Sequence, residues 1–160
     1  MGKAKPVDKA NRTDVISVEQ ITNSILVFRG HKVLLDAELA TLYGVTTGRL
    51  NEAVKRNLGR FPPDFMFQLT AAEHAALISQ IATSKPGRGG RRKLPWVFTE
   101  HGAIQAANVL NSPRAVEMGI YVVRAFVKLR ELLASNRELA RRFEKLVAHD
   151  QALGVVLHQF

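Results

Sequence analysis

The stretch from Asp36 to Asn57, DAELATLYGVTTGRLNEAVKRN, constrains the fold more than any other part of the chain. At helical spacing it divides into two short helices joined at Gly44. Leu39, Ala40, Leu42 and Tyr43 give the first an apolar face, and Asp36 is the expected N-cap because its carboxylate accepts from the free amides of a first turn. Gly44 falls where a left-handed residue is needed to reverse the chain, a conformation glycine adopts without a Cβ penalty. Val45 then points back to the core. Thr46 or Thr47 caps the second helix, whose inward side is Leu50, Ala53, Val54 and Leu58.

The spacing is that of a helix-turn-helix unit. Ala40 lies four residues before the turn glycine, where a bulky side chain would separate the helices, and Leu50 and Ala53 lie six and nine after it. Thr47, Arg49, Asn51, Glu52, Lys55 and Arg56 are left facing outward. Most of these side chains hydrogen-bond base edges and phosphates, whereas an ordinary solvated helix carries more evenly mixed Glu and Lys. A plain helical hairpin would show the same apolar spacing, so the pattern by itself leaves both readings open.

The balance of charge favours an anionic partner. The chain has 160 residues, 23 Lys and Arg against 14 Asp and Glu, and a formal charge of +9. Nucleic acid comes first, with an acidic protein or membrane surface behind it. With 46% hydrophobic residues there is enough apolar surface for a core, and the absence of cysteine excludes disulfides and zinc fingers. No apolar run approaches the roughly 20 residues of a membrane helix, and the N-terminus lacks a signal-peptide core, so a cytoplasmic location is expected.

Residues 1–19 read as a disordered basic leader in which Lys3, Lys5, Lys9 and Arg12 can brush a phosphate backbone. Ile25–Phe28 and Lys32–Leu35 are β-rich runs flanking a hairpin turn at Arg29-Gly30-His31. Pro62 and Pro63 end the helix pair, Phe65–Leu69 alternates as a strand, and Thr70-Ala71-Ala72-Glu73 is a capping box opening a helix to about Ile81.

The run from Leu34 to Leu69, with VLLDAELATLYGV, RLNEAVKRN and RFPPDFMFQLT, closely resembles the ORF6N domain, a DNA-binding module of phage, prophage and bacterial proteins related to the KilA-N and Bro-N families. WVFTEHGAIQAANVLNS is similar to the C-terminal half that ORF6N and Bro-N share. The resemblance spans about residues 20–111 and says least about the two ends. It implies duplex DNA as partner, in a prophage or mobile-element setting.

Between these motifs lies TSKPGRGGRRK, carrying Lys85, Arg88, Arg91, Arg92 and Lys93 with three glycines and no acid. Such a loop cannot pack; beside a reader helix it is expected to lie along phosphates and release counterions. Leu94–Phe98 returns to β character, with Trp96 expected in the core. Thr99 caps the helix EHGAIQAANVL, and Ser112-Pro113 opens a further one.

A single long helix is expected over 112–149, with coiled-coil dimerisation through it. Met118, Val122, Ala125, Leu129, Leu132, Asn136, Leu139, Phe143 and Leu146 recur at alternating steps of four and three, the coiled-coil period, with Asn136 as a register-fixing polar seam residue. Phe126, Leu133, Ala140 and Val147 widen the stripe, so part of the helix is expected to pack on its own domain and the rest on a second copy. The tail, 150–160, carries no assignment.

Enzyme chemistry is thin. His31, His74, His101, His149 and His158 form no metal-binding pair, and neither a phosphate loop nor a nucleophile elbow is present. Asp64 and Glu73 read as a turn residue and a cap rather than a catalytic pair. No cofactor is expected.

The expected fold is therefore small α+β: a hairpin and two short strands packed on the helix pair, followed by a long C-terminal helix. The expected function is sequence-specific DNA binding, with Thr47, Arg49 and Asn51 at base edges. Thr46, Lys55, Arg56, Arg60 and the arm residues Lys85, Arg88, Arg91, Arg92 and Lys93 would anchor phosphates. Because Asn51 and Arg56 lie inside the shared family phrase, the residues also admit a version in which Asn51 bridges locally and Thr47, Gly48 and Arg49 specify. A reading from another class is an antirepressor-type module whose long helix captures a repressor protein. RNA is the less fitting ligand, because few aromatics are available for stacking.

Overall fold

Arg29 and Gly30 both adopt left-handed backbone angles, φ 54° and 78°, and close a two-residue hairpin between β1 (Leu26–Phe28) and β2 (His31–Leu35). Positive φ at both central positions matches the right-handed twist of the strands, but it is costly for a residue with a Cβ. A fork of hydrogen bonds holds Arg29 there. Its Nε and Nη2 donate to the Glu73 carboxylate at 2.9 Å each, and Nη2 also donates to the Gln68 carbonyl. Burial raises the Glu73 carboxyl, but the hydrogen bonds from Arg29 and Thr70 outweigh it and hold the group below its ordinary value.

The computed structural model describes residues 17–81, 93–149 and 155–156. The fold is α+β, as expected. In chain order, α1 (Val18–Asn23) precedes the hairpin, and α2 (Asp36–Tyr43) and α3 (Thr47–Arg56) follow it. A 3-10 turn at Leu58–Arg60 leads to β3 (Met66–Gln68), α4 (Ala71–Ile81), β4 (Trp96–Phe98), α5 (Glu100–Leu110), α6 (Pro113–Ser135), α7 (Arg137–His149) and β5 (Val155–Val156). The sheet order is β3-β4-β2-β1-β5, with every neighbour pair antiparallel.

Strand residues alternate between two apolar clusters, because successive side chains leave a strand on opposite faces. Val27, Leu34, Met66 and Phe98 join the larger cluster with α2, α3, α5 and α6. Leu26, Phe28, Val33 and Val97 join Leu69 and Leu77 of the α4 side. The sheet is thus covered on both faces, which explains why β1 is apolar at every position.

Helix starts follow capping chemistry. Thr46, Thr99 and Ser112 each accept from an amide three residues on, and Thr70 and Glu73 complete the expected capping box. Residues 17–19 belong to ordered structure rather than to a leader: Ser17 and Gln20 form a capping box that opens α1. At Gly102 the first turn of α5 meets the chain entering β3, and a Cβ built there would stand 1.8 Å from the Phe65 carbonyl oxygen.

Three further expectations are corrected. Asp36 is the first residue of α2, not its cap; Leu35 holds the cap position, and the Asp36 side chain turns inward. Leu58 is 59% exposed instead of buried, because α3 ends at Arg56 and the tighter 3-10 turn loses the helical phase. The single helix over 112–149 is two. Asn136 has extended angles, φ −121° and ψ 103°, and its Oδ1 accepts from the Leu139 amide at 2.8 Å, so it caps α7 rather than sitting in a seam.

Candidate nucleic-acid interface

α2 and α3 meet through a turn built on Gly44, whose φ is 73° and ψ 28°. The Gly44 amide donates to the Thr41 carbonyl and the Val45 amide to that of Ala40, consuming carbonyls the helix end would otherwise leave without partners. Arg114, on the first turn of α6, braces this turn: its Nε donates to the Leu42 carbonyl at 3.1 Å, and its Cγ lies 3.3 Å from where a Gly44 Cβ would stand. Tyr43 is fixed from the other side, donating to the Ala103 carbonyl at 2.8 Å.

α3 is divided along its length. Leu50 and Val54 are 0% and 2% exposed and pack in the main cluster, whereas Gly48, Arg49, Glu52, Lys55 and Arg56 are exposed and Thr47 is half-buried. Arg60 is exposed just beyond, as is Lys93 where the chain returns toward β4. Arg56 pairs with Glu52 at 3.3 Å, one turn back. Both partners are largely exposed, so the pair is weak and exchangeable for another anion. The outer side of α3 and the following turn therefore presents Arg49, Lys55, Arg56 and Arg60 against the lone acid Glu52. An open groove of about 390 Å³ runs between Arg49 and Arg56 on one side and Val109 and Leu110 at the end of α5 on the other.

Asn51 is placed differently from the base-reading role expected of it. Its Nδ2 donates to Asp36 Oδ2 at 3.1 Å, and the same oxygen accepts from the Trp96 amide at 3.2 Å. Asp36 is 0% exposed. A carboxylate out of water needs such donors, and Asn51 supplies one of them by linking α3 to α2 and β4. The local-bridge version of Asn51 matches this geometry, leaving Thr47, Gly48 and Arg49 at the exposed N-terminal end. Thr46 Oγ1 accepts from the Arg49 amide, yet its hydroxyl proton is still available to a phosphate oxygen.

The remaining expected residues fall in three groups. Lys85, Arg88, Arg91 and Arg92 lie outside the described residues. Of the expected dimer seam, Met118, Val122, Ala125 and Leu129 are buried in the chain's own core, so that part of the seam is corrected: its partner is the domain itself. Leu132 is exposed, Leu139 is half-buried, and Phe143 packs against the main cluster with Lys32 Nζ 5.6 Å from its ring centroid. Leu146 lies in α7, but its side chain is outside the described residues.

Sequence reasoning missed Arg114 and the Asp36–Asn51–Trp96 link, for both join residues far apart in the chain. Glu73, expected as a cap in the Thr70–Glu73 box, accepts from the Thr70 amide at the start of α4 as expected and in addition holds Arg29.

Among the described residues no helix is long and apolar enough to cross a membrane. No curated protein and no solved structure matches the chain. The family model described as ORF6N domain matches residues 23–109, more than half of the chain, beginning at the end of α1 and closing at the end of α5. The match takes in the hairpin, the turn at Gly44, the outer face of α3 and the strands behind them, and the chain belongs to the ORF6N domain family.

Proposed function

We propose that this chain is a sequence-specific duplex-DNA-binding regulator of phage or prophage type, which lays α3 in the major groove. The observation that carries the reading is the division of α3: Leu50 and Val54 locked inward, Arg49, Lys55 and Arg56 exposed on the other side. Membership of the phage-associated ORF6N family and the net charge of +9 support it. Arg49 and Thr47, at the N-terminal end of α3, read base edges, since a guanidinium meets guanine in two-bonded geometry and a threonine methyl packs on thymine. Thr46, Lys55, Arg56, Arg60 and Lys93 hold phosphates and fix the register. Catalysis and cofactors have no place in this reading, and the cytoplasm is its setting.

The test is selection of random duplexes on the full chain, followed by titration of the selected and a scrambled duplex over a range of salt, with a matched RNA competitor. Selective binding is expected, with the logarithm of affinity falling against the logarithm of salt by about 0.9 for each phosphate neutralised. Absence of DNA binding overturns the reading, as does preference for the RNA. Salt-indifferent capture of a repressor protein in its place would establish the antirepressor class, because an apolar contact is little affected by screening.

A further inference from the structure

The side of α6 turned away from the core is apolar. Val116 and Ile120 are 55% and 50% exposed, and Val123 and Val127 are half-buried. At about 100° per residue these four fall within about 60° of one another and form a stripe about 16 Å long. The core-facing set of the same helix, Met118, Val122, Ala125 and Leu129, lies nearly opposite. Isolated apolar residues on a surface need no explanation, but a continuous row at steps of four, three and four is an association pattern.

The charges beside the stripe specify its occupant. Glu117, Arg124, Lys128 and Glu131 are exposed and follow one another along the same flank, with Glu131 one turn past Lys128 and beyond the end of the stripe. Two such helices pairing antiparallel about a twofold axis set Val116 against Val127 and Ile120 against Val123, with like flank meeting like flank. Glu117 then lies between Arg124 and Lys128 of the other copy, each offset by about 3 Å along the axis. The arrangement repeats by symmetry, giving two acidic groups set against four basic ones. Parallel pairing would place this flank against Gly119, Phe126 and Arg130 and leave Glu117 beside no cation, since Arg130 lies about 20 Å further along the axis and already binds Glu100 at 2.6 Å. The overall positive charge does not forbid the pairing, since repulsion beyond about 8 Å is screened at physiological salt.

We propose that the Val116–Ile120–Val123–Val127 face of α6 pairs antiparallel with the same face of a second copy of this chain. The pairing surface is smaller than the roughly 800 Å² per partner of a stable interface, so the dimer forms and dissociates with concentration. This inference goes beyond the DNA-binding reading and stands without it, because it is measured in the absence of DNA.

Sedimentation equilibrium of the full chain tests it, with circular dichroism and thermal unfolding confirming that each variant stays folded. The wild-type chain is expected to dimerise with rising concentration and Ile120→Glu to remain a monomer of unchanged Tm. Glu117→Arg alone and Arg124→Glu/Lys128→Glu alone each set like charges together, and each is expected to weaken self-association by about tenfold or more. Mixing those two variants is expected to restore dimers, since each then supplies the charge the other lacks. A wild-type chain that stays monomeric at every concentration overturns the proposal. A dimer indifferent to Ile120→Glu overturns it too, and so does a mixture that fails to reassociate.

Discussion

α3 and α6 both carry an apolar stripe at helical spacing, but the stripes taught different things. In α3 the stripe is short, and the exposed side is rich in hydrogen-bonding cations, so which face meets the core and which meets solvent follows from the sequence. In α6 the stripe named by the coiled-coil period is the one the domain consumes, and the outward row is a second, weaker apolar face. Periodicity reports that a face is buried. It does not report against what, because a heptad seam and a core-facing side obey nearly the same spacing.

The sharpest way to break this contrast is Val122→Asp. If Val122 belongs to the core, an unpaired carboxylate there costs on the order of 4 kcal/mol and the cooperative thermal transition is lost or falls steeply. A variant that keeps its Tm and loses only self-association would return Val122 to an intermolecular seam. Leu129→Ala gives a graded version. It is expected to cost about 2–5 kcal/mol in denaturant unfolding, whereas Leu132→Ala, three residues on and exposed, costs well under that.

On α3 the contrast is between neighbours. Asn51→Ala takes a donor from the buried Asp36 and is expected to cost about 1–3 kcal/mol of stability while leaving the preferred DNA sequence unchanged. Arg49→Ala is expected to leave Tm in place, to cost about 1–3 kcal/mol in binding the selected duplex, and to relax one base position. A loss of sequence preference in Asn51→Ala without a fall in Tm would exchange their roles.

The smallest expected effects concern polar anchors. Asn136→Ala removes the cap of α7 and is expected to lower stability by about 1 kcal/mol; an increase would show that a continuous helix is the better structure. The carboxyl of Glu73 sits below its ordinary value of 4.5, so its contribution is present above that pH and is lost as pH falls through the lower folded value. Glu73→Gln should therefore flatten the acid limb of a stability-against-pH curve. The step is modest because Arg29 is more than a third exposed.

What was legible in the sequence was local. Gly44, Thr46, the Thr70–Glu73 box, Thr99 and Ser112 each declare a backbone need within a few residues, and each is met where the sequence puts it. The unmarked capping box at Ser17–Gln20 obeys the same rule and was there to be read. The Arg29–Glu73, Arg114–Leu42 and Asp36–Asn51 contacts join residues 44, 72 and 15 positions apart. No window of sequence ranks such pairs before the tertiary fold selects them. Asn136 shows a subtler limit, since the same side chain at the same heptad position serves as seam or cap, and only the backbone decides.

Gly102 shows how an empty space becomes a structural part. With the Phe65 carbonyl oxygen occupying the volume a methyl group would need, every other amino acid acts there as a spacer, prising the start of α5 away from the chain that leads into β3. Thr99 fastens the same junction through its hydroxyl to Asp64 and its amide to Phe65, so helix and strand can part only together. The platform behind α3 is held at that point by the absence of an atom.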